Sequence, residues 1–289
     1  MLLPSLLSSL CLTLFAVTPG MNVDTATDDQ AIFAKLESAT STLADSNQIP
    51  LTRAQRLSQC QRTHTTSFNL SALNKEKVSG SEVFERAANA AVLIGTAYKC
   101  DKCNRWHNNL ACGVIVDPNG VIATNYHVVG NETGEAMGVM TADEKFYPVV
   151  EILAANKFND VALLRIKASN LPALSLRDSA TAGSPIYCYS HPANTFGCLS
   201  EGIIARYTKT RSDHSSGVFM QITADFAKGS SGGPILDEMG NLIGLVSSTS
   251  TVFYDVATGK NGTPSNPQMV RHNCTTARAI LDLIAPEKK

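Results

Sequence analysis

Two textures divide the chain. From about Asp24 to Ser79 the hydrophobic positions are sparse, and the chain looks helical or loose. "DDQAIFAKLESATSTLA" is built of helix formers, with Asp28 or Asp29 placed to cap it. "TRAQRLSQCQRTH" is a second, more polar candidate, and "SGSEVFERAANA" a third, with Ser81 and Glu82 near its start. From Ala91 the apolar residues gather in short β-rich runs: "AVLIGTAY", "ACGVIVD", "GVIATNYHVV", "KFYPVVEILA", "DVALLRIKA", "SPIYCYS", "EGIIARYT", "GVFMQITA", "NLIGLVSS" and "TVFYDVA". Gly, Pro, Asn and Asp punctuate them, and "DPNG" at Asp117 to Gly120 reads as a hairpin turn. Many short strands without intervening helices predict an antiparallel barrel or sandwich. "TTARAILDLIAP" predicts a closing helix with a capping Thr.

The 289 residues suit one large domain or two modest ones. With 44% hydrophobic and 17% charged residues, disorder is excluded as the general state. A formal net charge of −1 gives no electrostatic case for a nucleic-acid partner. The start, "MLLPSLLSSLCLTLFAVTPG", resembles the apolar region of a secretory signal, shorter than a membrane span needs. Residues 1–20 are therefore expected to be a cleaved signal, followed by an extension over 21–80 and the main domain over 81–289. This places the protein in a secreted or periplasmic setting, with no stable membrane insertion after signal removal. The Asn-x-Ser/Thr pattern occurs at Asn69, Asn131, Asn261 and Asn273, and matters only in a source that glycosylates secreted proteins.

Three segments hold the chemistry. "IATNYHVV" puts His127 just after a strand, "NDVALLRI" puts Asp160 just before one, and "GSSGGP" puts Ser231 in a glycine-rich turn. A serine hydroxyl needs an adjacent base to act as a nucleophile. An imidazole can take its proton, and a buried carboxylate fixes the imidazole's tautomer. The glycines allow the N–H groups of Gly229 and Ser231 to converge on a developing oxyanion.

"TNYHVV", "NDVALLRI" and "GSSGGPILDEMGNLIGLVSS" resemble the three motif blocks of trypsin-like serine peptidases of the HtrA (Deg) type. The resemblance runs from about Glu82 to Val252. It implies an all-β fold, a trypsin-like double β-barrel, to which the residue patterns add an N-terminal helical extension and a C-terminal helix. It implies a serine endopeptidase acting on protein or peptide substrates without a cofactor, with His127 as base, Asp160 as orienting carboxylate and Ser231 as nucleophile. It assigns Asp225 and Ser247 to substrate binding. Asp225 occupies the position that floors the specificity pocket in trypsin-like enzymes, where an Asp selects Lys or Arg; the alternative is that it bonds backbone within its own loop. HtrA relatives often gate activity through the loop that is here Asp225 to Lys228, and some use N-terminal segments for homo-oligomer contacts or to cover the active site. Ser230 stands where trypsin zymogens carry an Asp, so activation by a newly cut N-terminus is not expected. Too few residues follow Ser231 for a PDZ module, and none is expected. The rival class is an inactive peptidase-fold protein that binds or scaffolds.

"GSSGG" also satisfies the esterase pattern G-x-S-x-G, for which Asp255 and His272 could complete a triad. An esterase elbow leads into a helix, however, and Gly-Gly-Pro follows here. His64, His191, His214 and His272 lack a comparable motif and read as surface or locally hydrogen-bonded. Seven cysteines remain after the leader. Cys100, Cys103, His107 and Cys112 have a spacing close to that of a small zinc site. A secreted setting favours disulfides instead, such as Cys100 to Cys112 and Cys188 to Cys198.

Overall fold

The computed structural model describes residues 26–284 apart from 47, 63–65, 69, 101, 179, 213–214 and 256–263. The leader over 1–20, Asn69, Asn261, His64 and His214 lie outside the described residues. Among those described, no helix is long and apolar enough to cross a membrane.

Three helices come first: α1 (Asp29–Asp45), α2 (Arg53–Cys60) and α3 (Gly80–Ala90). Each is capped by the residue before it. Asp28, Thr52 and Ser79 accept from the first-turn amides, and Gln55 completes a reciprocal capping box on α2. Twelve strands then form two six-stranded antiparallel sheets, each closed into a barrel. The first holds β1 (Ala91–Lys99), β2 (Trp106–Asp117), β3 (Val121–Thr124), β4 (Ala136–Met140), β5 (Phe146–Asn156) and β6 (Val161–Ile166). The second holds β7 (Pro185–Ser190), β8 (Cys198–Ser212), β9 (Ser215–Ile222), β10 (Pro234–Leu236), β11 (Leu242–Asp255) and β12 (Ser265–Thr276). The one-turn helix α4 (Tyr126–Val129) follows β3, and α5 (Ala277–Leu281), capped by Thr276, closes the described chain. This is the expected double barrel. The "DPNG" turn joins β2 to β3, with Gly120 at a φ of 85°.

Each barrel has its own core. Ile94, Ile115, Ile122, Ile152 and Leu164 fill the first, and Ile186, Ile204, Met220, Ile235 and Val246 fill the second. A third apolar cluster joins Val83 and Ala87 of α3, Val114 and Leu163 of the first barrel, Leu245 of the second and Ile280 of α5. It fixes the two barrels against each other, so residues on facing rims can be held in register.

Three strands differ from the sequence expectation. β4 carries Gly138 between two Met, β10 is only three residues long, and β12 begins with exposed polar residues and Pro267. "NLIGLVSS" and "TVFYDVA" are one continuous strand, β11. The helices of the extension pack on the barrels. Leu36 of α1 is fully buried against Leu93, Met140 and Phe196. Arg56 of α2 is 1% exposed and donates to the carbonyls of Val129, at the end of α4, and of Asn131 and Gly134, just after it. Burial holds its guanidinium pKa below the ordinary value, yet three acceptors compensate the charge. Removing that guanidinium orphans three carbonyls, so Arg56→Met is expected to lower unfolding free energy by about 3 kcal/mol. Urea denaturation measures this; a loss below about 1 kcal/mol would mean that α2 is not anchored through Arg56.

Candidate active site

His127 lies on α4, directly after β3. Asp160 precedes β6 in a tight turn, with its backbone at a φ of 49°, a left-handed conformation that Asp tolerates better than most residues. Its carboxylate faces His127, with Nδ1 at 3.0 and 2.9 Å from its two oxygens, and the His127 backbone N–H donates to Oδ1 at 3.0 Å. On the other side, His127 Nε2 is 2.9 Å from Ser231 Oγ. With Nδ1–H donating to the carboxylate, Nε2 is left bare to accept the serine proton. The structure therefore brings together all three residues that the motifs singled out.

The turn carrying Ser231 is docked on the first barrel. Cys112 N donates to Ser231 O at 2.7 Å, and Cys112 Sγ points at Gly229 O. Gly232 makes this approach possible. Its φ is 86°, and a Cβ there would stand 2.0 Å from Cys112 O. Gly229 has a φ of 99°. The carbonyl before it, Lys228 O, accepts from Ala193 N at 2.7 Å. A planar trans peptide then turns the Gly229 N–H to the opposite side. Neither Gly229 N–H nor Ser231 N–H has an acceptor among the described residues, so both are available to an incoming oxyanion.

The turn that presents Ala193 is itself braced. Asp29, the first residue of α1, accepts from Phe196 N at 2.7 Å, and His191 Nδ1 accepts from Gly197 N at 3.0 Å. Burial pushes the His191 imidazole down to about 4, so it is neutral near pH 7. A cleft of about 590 Å³ opens beside His127, Asp160 and Ser247, with Leu57 of α2 and Gln61, which follows it, on its wall.

Of the other predicted residues, Ser247 lies in the site and Asp225 lies outside it. Ser247, expected to bind substrate, lines the cleft; its hydroxyl donates to Asp160 Oδ2 at 2.6 Å, and its carbonyl is 3.4 Å from Ser231 Oγ. Asp225 is at the surface. Its side chain is 92% exposed and 3.7 Å from His272, so it does not floor an enclosed pocket. Only its carbonyl bonds locally, accepting from Ser200 Oγ. The esterase alternative fails on geometry as well as on the missing helix. Asp255 accepts from Ser265 and Asn266, and His272 faces Asp225 and Phe226, so neither bonds Ser231. His191, read as surface or locally bonded, has the local bond but is buried.

Two partners of the site were missed. Asn125 Nδ2 donates to Asp160 O at 2.9 Å, and Thr275 Oγ1 lies 3.0 and 3.1 Å from the carbonyls of Asn159 and Asp160. Asn125 was visible inside "TNYHVV"; nothing local marked Thr275, which arrives from β12.

The cysteine expectations need correction. None of the seven described cysteines is disulfide-bonded. Cys100, Cys103 and His107 converge, but Cys112 is not with them. Residues five apart on one strand lie on opposite faces and about 16 Å apart, and β2 runs unbroken through both His107 and Cys112. Cys112 is instead buried behind the Ser231 turn, where desolvation raises its thiol pKa. Cys188 is buried in the second core and Cys198 points at Thr195 O.

Comparison with known proteins places this architecture. Residues 111–245 match the trypsin-like peptidase domain family. A serine endoprotease DegS from Haemophilus influenzae is 28% identical over 53% of this chain and 46% of its own length. A serine protease HTRA2, mitochondrial, from Drosophila willistoni is 29% identical over 50% of this chain and 35% of its own. A probable periplasmic serine endoprotease, DegP-like, from Rickettsia prowazekii is 32% identical over 47% of this chain and 27% of its own. The chain thus spans less than half the length of these relatives. A solved HtrA-type protease AlgW with a tripeptide superposes with a TM-score of 0.54 over 71% of this chain and 62% of that one, at 23% identity, a likeness of fold. Residues 111–245 are thus similar to a trypsin-like peptidase domain, and the relatives and the solved structure that the chain resembles are HtrA- or Deg-type proteases.

The neutral, buried His191 has a consequence for acid stability. Its folded pKa is depressed from 6.5 to about 4, so the unfolded chain takes the proton first as pH falls. The stability it allows is complete above about 6.5 and is lost progressively toward about 4. From pH 7.5 to 5 the contribution is a loss of about 2 kcal/mol. Urea unfolding of wild type and His191→Gln at both pH values checks this. The variant is expected to lose less over the interval, and equal losses would contradict the assignment.

Proposed function

We propose that this protein is a serine endopeptidase that hydrolyses peptide bonds of protein substrates outside the cytoplasm. The single observation that supports the reading most is the unbroken relay from Asp160 through His127 to Ser231, with contacts of 2.9 to 3.0 Å. Ser231 Oγ attacks the scissile carbonyl carbon while His127 Nε2 takes the hydroxyl proton. The carbonyl oxygen becomes an oxyanion, held by the N–H groups of Gly229 and Ser231. His127 then gives its proton to the amine nitrogen as the C–N bond breaks, leaving an acyl-serine. Water, deprotonated by His127, attacks the acyl carbon and releases the carboxylate product and the free serine. The Asp160 carboxylate orients His127 and stabilises the imidazolium, and Ser247 holds that carboxylate in place.

Digestion of a denatured protein substrate, read by mass spectrometry, tests the proposal. Wild type is expected to cleave, with kcat/KM falling about 10⁴-fold or more in Ser231→Ala and His127→Ala. Ser247→Ala removes one charge-assisted hydrogen bond and is expected to cost about 10-fold in kcat. Equal cleavage by wild type and Ser231→Ala, or none by either, would replace the enzyme with the binding or scaffolding protein of the same fold.

A further inference from the structure

The end of the β1–β2 hairpin holds a cluster that the peptidase chemistry does not use. β1 ends at Lys99, and the ladder pairs Tyr98 with His107 and Lys99 with Trp106. The connecting loop therefore begins with Cys100 immediately after the last paired residue, and His107 is itself a ladder residue. Cys103 lies between them. The three donor atoms form a tight triangle: Cys100 Sγ to Cys103 Sγ is 3.4 Å, Cys100 Sγ to His107 Nε2 is 3.2 Å, and Cys103 Sγ to His107 Nε2 is 3.0 Å. The hairpin end is fixed from outside as well. Trp106 Nε1 donates to Asp45 at the end of α1, and Lys99 Nζ sits 4.6 Å from the Trp106 ring centre.

We propose that Cys100, Cys103 and His107 bind one zinc ion, with a water as the fourth ligand, and that the ion pins the β1–β2 loop beneath the C-terminal end of α1. The donor set has the chemistry for it. Two thiolates and a neutral imidazole carry a charge of −2, which one Zn²⁺ balances, and this softness suits zinc rather than calcium or magnesium. The dimensions fit too. Tetrahedral bonds of about 2.3 Å to sulfur and about 2.0 Å to nitrogen set S···S near 3.8 Å and S···N near 3.5 Å. The triangle needs to open by only about 0.3 to 0.5 Å along its edges to take the ion. That is a rotamer-scale adjustment in a loop with two ends held by the ladder. Binding expels the two thiol protons to solvent and oxidises nothing. The competing state of the same residues is a Cys100–Cys103 disulfide, which would remove both sulfur ligands.

Full-length protein, purified with a non-chelating phosphine reductant and analysed for metal, tests the site with zinc itself as the probe. About one zinc per chain is expected after dialysis against buffer containing zinc and then against metal-free buffer. Cys103→Ser and His107→Ala are each expected to weaken zinc binding more than about 100-fold. Cys198→Ser should keep it. Circular dichroism of each variant establishes that the barrels are folded. Cobalt substituted into wild type should give a sulfur-to-metal charge-transfer band that the two variants lose, a signature that a general effect on folding does not produce. Absence of zinc from the reduced wild type, or binding that survives unchanged in both Cys103→Ser and His107→Ala, overturns the site.

Discussion

One carboxylate ties the two barrels to a common geometry. Asp160 sits at the rim of the first barrel, where it faces His127 from the same barrel and receives the Ser247 hydroxyl from the second. Its backbone carbonyl lies within reach of Asn125 from the first barrel and Thr275 from the second. A carboxylate with several donors is held in one orientation. The imidazole tautomer follows from that orientation, and the direction of Nε2 follows from the tautomer. Everything at Ser231 depends on this sequence of constraints.

The serine side has a matching logic built from backbone. The Ser231 turn rests on β2 through the Cys112 amide, an approach that only a glycine at 232 permits. The peptide before Gly229 is oriented by Ala193, whose turn is braced by Asp29 of α1 and by buried His191. The helical extension therefore does more than precede the barrels. α1 reaches the support of the oxyanion peptide, and α2 both buries Arg56 under the α4 region and lines the cleft beside His127. Position in the chain and position in the site are far apart here, because α1 and α2 pack on barrel surfaces formed by much later residues.

That separation explains what was legible in the sequence. His127, Asp160 and Ser231 could be read because each chemical role leaves a local mark: a strand end, an Asn-Asp turn, a glycine run. The barrels could be read from short apolar runs between turn residues. Ser247 was placed in the site as a substrate contact; its hydroxyl bond to Asp160 was not legible, since the direction of a side chain on a strand depends on register that composition does not reveal. For Asp225 two readings stayed open, because spacing from the nucleophile says nothing about whether a loop side chain turns inward; its side chain lies at the surface. Thr275 and Asp29 were invisible because their partners lie on other elements. Cys112 was the avoidable error. The run "WHNNLACGVIVD" reads as one strand, and its alternation already separates His107 from Cys112.

The central claim is that Asp160 sets the reactivity of Ser231 across the crevice between barrels. The most direct measurement is the rate at which a peptidyl phosphonate modifies the protein, with the site of attachment found by mass spectrometry, in wild type and Asp160→Asn. The account predicts attachment at Ser231 Oγ in wild type. It predicts a rate about 10⁴-fold lower in Asp160→Asn, where the amide favours the wrong imidazole tautomer. Attachment at another residue, or an equal rate in the two proteins, would contradict it.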